Sequence, residues 1–225
     1  HVLSSIPPDQ DGDPAWRLHA DWFDTHASGL AWIGYLSTTG VYGDAGGGWV
    51  DETAPLAPSN DRSQRRVLAE QQWLGLWRRH GAPAHVFRLP GIYGPGRSAI
   101  EQVRAGTARR VEKPGQVFSR IHVEDIAATL EASIDRPRGG AIYNVADDEP
   151  APSADVIGYA FELLGQPVPP AIPYEQIAPS MSPMARSFYA DSRRVGNTLI
   201  KDELGVRLAY PTYREGLRAI LHESG

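Results

Sequence analysis

Hydroxyl-bearing residues follow the apolar segment Leu30–Leu36 in this chain of 225 residues. The sequence YLSTTGVYGD places Ser37, Thr38, Thr39 and Tyr42 directly after that segment. A serine or threonine hydroxyl can donate a hydrogen bond to a ligand oxygen, and a phenol can also pass a proton. Thr38 is therefore either a ligand contact, which its place at the end of a strand favours, or a simple turn residue.

Two tyrosines near the predicted strand ends, Tyr42 and Tyr93, could supply a phenol to a site. Both also fit aromatic side chains packed at a domain seam, which is the more common use of such residues. Arg62 and Arg66 lie one helical turn apart in the stretch PSNDRSQRRVLAEQQW. A guanidinium keeps its proton near neutral pH and binds anions with its planar fork. The two arginines either clamp an anion or are solvated charges on a helix face, and the sequence favours neither.

His122, Glu124 and Asp125 form a third polar group, in the stretch SRIHVED. These residue types bind metals, but the alternating strand pattern and the helix start that follows favour a helix cap. We therefore predict no metal site here. The chain contains no Gly-x-Ser-x-Gly and no His-Glu-x-x-His, so it gives no support to a hydrolase of either type.

The segments that carry these residues alternate between helical and extended patterns. Strands are predicted in HVLSSIPPD, as a buried strand ending in a Pro-Pro turn, in LAWIGYLSTTGVYG and in AHVFRLPGIYGPG. Helices are predicted in DPAWRLHADWFDTHA and in DRSQRRVLAEQQWLGLWRRHG, the second with Leu68, Trp73 and Trp77 on roughly one face and Gly81 as its stop. Such alternation predicts a parallel sheet that binds ligands at the carboxyl ends of its strands.

The second half of the chain mixes short helices with loops. Helices are predicted in SAIEQVRAG, VEDIAATLEASI, NTLIKDELG and TYREGLRAILHE, and a strand in GAIYNVAD. SADVIGYAFELLG is a further helix, with Ser153 as its N-cap and Gly165 as its stop. The segment Gln166–Pro183 is predicted to be an irregular crossing loop because it is rich in proline.

Composition limits the class of protein. Hydrophobic residues make up 41% of the chain, enough for a sizeable core. The net charge of −5 gives no field that attracts nucleic acid. The absence of cysteine excludes disulfides and thiolate metal sites, and no apolar run is long enough to span a membrane. We expect a cytoplasmic protein with no nucleic-acid or membrane partner.

Six segments together resemble one enzyme family. They are YLSTTGVYGD, VDETAPLAPSN, RLPGIYGPG, RIHVEDIA, YNVADDEP and LIKDELGVRLAYPTYREGL, in that order along nearly the whole chain. This set is similar to the extended or atypical short-chain dehydrogenase/reductase superfamily, in its NAD-dependent epimerase/dehydratase branch. The resemblance implies a Rossmann-like α/β fold, with a parallel sheet flanked by helices, and bound NAD or NADP. It also implies a smaller C-terminal substrate lobe.

The resemblance also shows what this sequence lacks. The family has a tyrosine and, four residues later, a lysine, at the positions of Arg62 and Arg66, and no tyrosine here is followed by a lysine at that spacing. Thr38 matches a family residue that binds the reacting oxygen, but the dehydratases follow it with Asp-Glu where Thr39 and Gly40 stand. Gly91 stands where the family often has a substrate-binding asparagine. We therefore expect a non-standard active site.

The family's glycine-rich phosphate loop precedes the strands that resemble this chain. Two clusters, GDAGGG from Gly43 and GIYGPG from Gly91, have some of its pattern, but Pro95 lacks an N–H group and no acidic strand end follows. We interpret both clusters as turns. We expect the natural polypeptide to extend beyond His1, so that residues 1–96 are strands four to six of a Rossmann domain and residues 97–225 are mainly the substrate lobe, with one helix that returns to the Rossmann domain.

The predicted function is that of an NAD(P)-binding oxidoreductase or an epimerase/dehydratase-like protein. The alternative is an NAD(P)(H)-binding sensor or regulatory protein without turnover. The substrate is expected to be small and polar or anionic, and a homodimer is one assembly that the sequence allows. The predicted catalytic residues are Thr38 and Tyr42. The cofactor contacts are Ser5, Ile6, Pro7, Ser37, Pro90, Gly91, Ile92 and Tyr93. The substrate contacts are Thr39, Arg62, Arg66, Arg97, Arg120 and His122.

Overall fold

The computed structural model describes residues 1–223. The strands are β1 (Val2–Ser4), β2 (Ile33–Thr38), β3 (Trp49–Val50), β4 (Ala84–Leu89), β5 (Gly91–Tyr93), β6 (Val111–Glu112), β7 (Arg120–His122), β8 (Ile142–Asn144), β9 (Ile172–Pro173) and β10 (Arg194–Val195). The helices are α1 (Pro14–His26), α2 (Asp61–His80), α3 (Ala99–Arg104), α4 (Val123–Asp135), α5 (Ser153–Leu163), α6 (Tyr174–Ile177), α7 (Pro183–Phe188), α8 (Thr198–Asp202) and α9 (Tyr213–Glu223). Short 3₁₀ turns span Ala27–Gly29, Thr39–Tyr42 and Ala178–Ser180.

The main sheet has four strands in the order β1-β2-β4-β8, and every neighbouring pair is parallel. The central pair β2 and β4 is mostly apolar and buried, as inner parallel strands require, with Ser37, His85 and Arg88 as its buried polar members. The predicted α/β fold with a parallel sheet and flanking helices is confirmed. Because parallel strands end at one edge, Thr38 and Leu89 are register partners at the same level of the sheet.

Helix α2 begins and ends where its sequence indicates. The Asn60 side chain accepts a hydrogen bond of 3.0 Å from the amide of Ser63, and Gly81 ends the helix with a left-handed φ of 71°. For α5 the predicted cap is wrong. Pro152 occupies the N-cap position with no side-chain bond, and Ser153 is the first helical residue. A proline fixes the extended φ that a cap needs, so the turn forms without the serine hydroxyl.

The core has a layer on each side of the sheet. Helices α1 and α2 cover one face, where Trp73 meets the ring of Phe23 at 5.0 Å. Helices α4 and α8 pack against the other face, around Phe87 and Tyr143. The predicted single apolar face of α2 is only partly correct, because Leu68 stays 37% and Trp77 42% exposed.

A second region follows β5. Strands β5 and β7 pair, β6 pairs with β9, and β10 pairs with β3, all in parallel. Helices α3, α5 and α9 pack together around a third apolar cluster. The segment predicted to be an irregular loop, Gln166–Pro183, instead contains β9 and α6. The reason is that Ile172 donates its amide to the carbonyl of Arg110, which orders the proline-rich chain as a strand.

Strand β1 is less buried than its apolar sequence predicted. It pairs with β2 over three residues, and Leu3 keeps half of its surface exposed. Ser4 is its buried residue, and its hydroxyl donates a 2.6 Å hydrogen bond to Asp13. Across residues 1–223, no helix has both the length and the apolar character that a membrane span requires.

Candidate functional site

A cleft of about 570 Å³ opens at the carboxyl ends of β2 and β4. Its other walls come from β5, β7 and helices α3, α5 and α9, and from the segment between Ser187 and Val195. Nine of the predicted site residues line it, namely Thr38, Thr39, Arg62, Pro90, Gly91, Ile92, Tyr93, Arg97 and Arg120. The edge of the sheet where ligands were expected is therefore the edge at which the structure is open.

Thr38 ends β2 and faces this cleft. Its Oγ1 accepts a 3.1 Å hydrogen bond from the amide of Gly40 and so caps the 3₁₀ turn. Since the oxygen is used as an acceptor, the hydroxyl hydrogen is left to donate to a ligand. A side chain at Gly40 would come within 2.8 Å of the Ser63 hydroxyl, so the glycine keeps this corner open.

The two arginines of α2 diverge. Arg62 lines the cleft, and its guanidinium lies over the ring of Phe188, 5.2 Å from the centroid. Arg66 instead donates to the carbonyl of Leu36 at 2.8 Å and to the Tyr35 hydroxyl at 3.1 Å. The structure thus brings one of the pair to the cleft and uses the other to fasten α2 to β2.

Tyr42 and Ser37 lie behind the cleft rather than in it. The Tyr42 hydroxyl donates to Asn144 at 2.7 Å and accepts from Arg88 at 2.9 Å, and the side chain is 3% exposed. Burial raises the pKa of Tyr42 above its ordinary value. Ser37 donates at 2.6 Å to the carboxylate of Glu70. Both hydroxyls are committed to the protein interior.

Tyr93 lines the cleft with its ring, but its hydroxyl turns away. The hydroxyl donates to the backbone carbonyl of Thr212 at 3.4 Å, beside Gly216 of α9. Burial raises the pKa of Tyr93 far above its ordinary value. Tyr93 therefore contributes shape to the cleft and is a poor proton donor near neutral pH.

Arg120 lines the cleft and is partly exposed. Its Nη2 donates to the carbonyl of Ala151 at 3.2 Å, and its guanidinium carbon lies 5.6 Å from the centroid of the Tyr213 ring. Its Nη1 is buried and has no hydrogen-bond partner among residues 1–223. The nearby carboxyl of Asp147 is also buried, and this burial raises the pKa of Asp147 to about 8.

His122 is not on the cleft surface. Its Nδ1 accepts a 3.3 Å hydrogen bond from the amide of Glu124, so it caps α4 as the cap interpretation predicted. Burial lowers the pKa of His122. Within the described part of the chain, no group of three or more His, Asp or Glu side chains could hold a metal ion. Ser5, Ile6 and Pro7 follow β1 as exposed residues outside the cleft lining.

Sequence reasoning missed an aromatic wall. Phe118 and Tyr189 meet edge to face at 5.3 Å, and both line the cleft together with Phe188. Asp191 and Arg193 also line it and form an ion pair of 3.3 Å. These residues come from the loop after β6, from the last residue of α7 and from the segment that follows it, so no local pattern could have joined them.

A family model matches residues 25–146, more than half of the chain, under the description "NAD dependent epimerase/dehydratase family". The chain belongs to the NAD-dependent epimerase/dehydratase family. The matched residues include Thr38 and Arg62 as well as Arg120, so the cleft lies largely inside the family region.

Solved structures share the fold of this family member. A conserved protein of unknown function from Silicibacter pomeroyi DSS is 54% identical and superposes with a TM-score of 0.92. The match covers 100% of this chain and 77% of the Silicibacter protein. The dTDP-glucose 4,6-dehydratase of Bacillus anthracis, solved in complex with NAD, has a TM-score of 0.71 at 19% identity. That match covers 92% of this chain and 64% of the dehydratase.

Two curated relatives match shorter parts of the chain. The protein YeeZ of Escherichia coli is 35% identical over 112 residues, which are 49% of this chain and 38% of YeeZ. The 3-diazoavenalumate denitrifying reductase of a Streptomyces species is 28% identical over 160 residues, which are 68% of this chain and 49% of the reductase. The chain thus spans less than half the length of either relative.

Proposed function

We propose that this protein is an NAD(P)-dependent oxidoreductase that transfers a hydride to or from a carbon bearing oxygen in a small polar substrate. The observation that carries this proposal is that, within residues 1–223, the cleft lining contains no free carboxylate. Among the described residues that line it, the one carboxylate is Asp191, which is held by Ser59 at 2.8 Å and by Arg193 at 3.3 Å. Dehydration, and epimerisation at a carbon beside a carbonyl, need a free base to remove a proton from carbon, whereas the reduction of a carbonyl by hydride transfer does not.

Thr38 and Arg62 take the roles of the missing pair. The Thr38 hydroxyl donates a hydrogen bond to the reacting oxygen of the substrate, because its own oxygen is already used as an acceptor. Arg62 carries a fixed positive charge at the same cleft and stabilises the oxyanion that forms there. The proton that completes reduction comes from water, since no arginine exchanges protons near neutrality.

The cofactor, NAD or NADP, fits beside Pro90–Tyr93, which line the cleft where β4 ends. Ser5, Ile6 and Pro7 follow β1, which pairs with β2, and remain exposed. The two glycine clusters are turns: Gly46 and Gly47 have left-handed φ values, and Gly94 and Arg97 close a reverse turn around Gly96. The cleft residues of this chain therefore hold the nicotinamide end of the cofactor, which supplies or accepts the hydride when bound.

The relatives support this choice. The Streptomyces relative is named as a reductase, and the Bacillus anthracis structure contains NAD. One observation favours a second candidate, an NAD(P)(H)-binding sensor without turnover. Tyr42 and Tyr93 both use their hydroxyls inside the protein, so neither can replace the absent tyrosine of the family.

The test compares Thr38→Ala with Thr38→Ser, and uses Thr25→Ala on the exposed side of α1 as the matched control. Binding of NAD and NADP is measured by calorimetry, and hydride transfer by absorbance of the reduced nicotinamide with a panel of aldehydes and ketones. We expect Thr38→Ala to lower kcat by about 10²-fold, as loss of one oxyanion donor does, while Thr38→Ser and Thr25→Ala stay near wild type.

Cofactor binding without turnover in wild-type protein, and with the same affinity in Thr38→Ala, would instead establish the sensor. Turnover that is equal in wild type and Thr38→Ala would remove Thr38 from the mechanism. Dehydration of a sugar nucleotide, or its epimerisation at a carbon beside a carbonyl, would contradict the argument from the missing base.

A further inference from the structure

Arg120 holds a positive charge in the cleft that the protein does not neutralise. One guanidinium nitrogen donates to the carbonyl of Ala151, while Nη1 is buried without a partner in the described chain. The guanidinium lies near the rings of Tyr213 and Tyr93, which offer no negative charge near neutral pH. A buried, unpaired charge is costly, and an anionic ligand would remove that cost.

Asp147 is the nearest carboxyl that could pair with Arg120, and it does not. Its amide donates to the Arg120 carbonyl at 2.8 Å, but within residues 1–223 neither Nη1 of Arg120 nor Oδ2 of Asp147 has a hydrogen-bond partner. Burial raises the pKa of Asp147 to about 8, so its carboxyl is mostly protonated at pH 7. The other acids beside it are engaged: Asp148 pairs with Lys201, and Glu149 with Arg214.

The remaining arginines of the cleft differ from Arg120. Arg193 donates to the Gly43 carbonyl and pairs with Asp191, and Arg62 lies against Phe188 at the more exposed side. Arg97 is exposed to solvent. A single guanidinium with one unpaired nitrogen suits a ligand with one negative group at that point, rather than a pyrophosphate that needs several cations.

The space around Arg120 is apolar and aromatic. Phe118 lies two residues before Arg120, in the loop that leads into β7, and Tyr189 meets the Phe118 ring edge to face. Ile157 of α5 and Leu217 of α9 line the same cleft. A flat or apolar body fits these walls, with its anionic end at the guanidinium.

We propose that Arg120 binds the carboxylate of a small aromatic acid, whose ring lies against Phe118 and Tyr189, and that this acid group is the recognition element of the substrate. The inference rests on the proposed use of this cleft as the substrate site. A carboxylate offers two acceptor oxygens to one planar guanidinium, which is the geometry that arginine binds best.

Asp147 acts on this subsite as a positioning residue. In its protonated form it leaves the charge of Arg120 free for the carboxylate, and in its ionised form it competes with the ligand for the same guanidinium. Linkage then requires the affinity for the acid to fall as the pH rises through the pKa of Asp147, by about tenfold between pH 7 and pH 9. Arg120→Gln removes the charge, and Asp147→Asn keeps the neutral form at every pH.

The test measures binding of benzoate and 3-phenylpropionate, and of their neutral amides, by calorimetry on the whole chain with saturating cofactor. The variants are Arg120→Gln, Asp147→Asn and, as the matched control, Arg104→Gln on the exposed side of α3. We expect each acid to bind at least tenfold more tightly than its amide in wild type and in Arg104→Gln. Arg120→Gln should abolish that preference. Asp147→Asn should keep it at both pH 7 and pH 9.

Equal affinity for acid and amide in wild type would overturn the proposal. So would an Arg120-dependent preference for phenyl phosphate or UDP-glucose over the carboxylates. If Arg120→Gln does not fold, the wild-type pH series decides, because an affinity that is constant from pH 7 to pH 9 contradicts the link to Asp147. Arg120-dependent binding of the acids without any hydride transfer would support this subsite while removing the proposed oxidoreductase activity.

Discussion

Glu70→Gln should destabilise the protein more than any loss of a single hydrogen bond. Glu70 and Arg88 form a two-pronged ion pair, with Arg88 Nε 3.1 Å from Oε1 and Nη2 2.8 Å from Oε2 of Glu70. Each side chain is only 3% exposed. The variant keeps the shape of residue 70 but leaves the guanidinium buried without a negative partner.

The magnitude follows from that burial. Breaking a buried pair by removing one partner costs about 3–5 kcal/mol, because the remaining charge stays desolvated. The comparison variant Asp24→Asn breaks a pair with Arg79 in which the side chains are 41% and 48% exposed, and it should cost at most about 1 kcal/mol. The double variant Glu70→Gln with Arg88→Met should recover part of the loss, since it removes the uncompensated charge as well.

Urea unfolding followed by circular dichroism gives the free energy of unfolding of each variant, provided that the slopes agree. A cost for Glu70→Gln no larger than that of Asp24→Asn would refute the reasoning. It would mean that Arg88 finds water or another acceptor once Glu70 is neutral, and that the network behind the cleft is not closed to solvent.

Three further outcomes are expected. Tyr42→Phe removes two buried hydrogen bonds and should lower the free energy of unfolding by about 1–3 kcal/mol, while cofactor affinity and turnover stay unchanged. A loss of turnover in a stable variant would show that Tyr42 takes part in catalysis. Gly216→Ala would place a Cβ 2.2 Å from the Tyr93 hydroxyl and should cost about 1–3 kcal/mol, seen as a lower urea midpoint, whereas a neutral effect would show that α9 shifts freely. Asp147 has a pKa of about 8 in the folded state, against an ordinary value of 3.8. Between about pH 4 and pH 8 the folded state therefore holds a proton that the unfolded state has lost. As the pH rises through this range, Asp147 lowers the free energy of unfolding by about 1.4 kcal/mol per pH unit. Asp147→Asn should lack that slope in unfolding curves taken at pH 5, 6 and 7, and parallel curves for wild type and variant would contradict it.

The sequence alone predicted the framework of the protein, because local patterns determine it. The apolar segments predicted as strands contain β2 and β4, and Gly81 ends α2 with the left-handed turn that its sequence predicted. The alternation of these elements required a parallel sheet, whose strand ends lie together at one edge. Thr38 and Pro90 could be placed at a common cleft for that reason, and the order of the family segments agreed with it.

The sequence did not predict which groups the individual side chains contact. Arg62 and Arg66 are one helical turn apart, yet one lies over Phe188 and the other reaches the Leu36 carbonyl, because a long flexible side chain follows whatever acceptor the neighbouring element supplies. Tyr42 follows Thr38 by four residues, but the 3₁₀ turn directs its hydroxyl to Asn144, 102 residues further along the chain.

Only the tertiary structure decided the chemistry of the cleft. The sequence shows Arg120 and Asp147 as two ordinary charged residues, and their separation along the chain gives no sign that they are neighbours. Folding buries Asp147 and the Nη1 atom of Arg120, forms no ion pair between them, and sets them near the aromatic side chains of Phe118 and Tyr189. The physical reason is desolvation: a residue type determines which charge is available, but the packing of distant elements determines whether water, a protein group or a ligand must neutralise it.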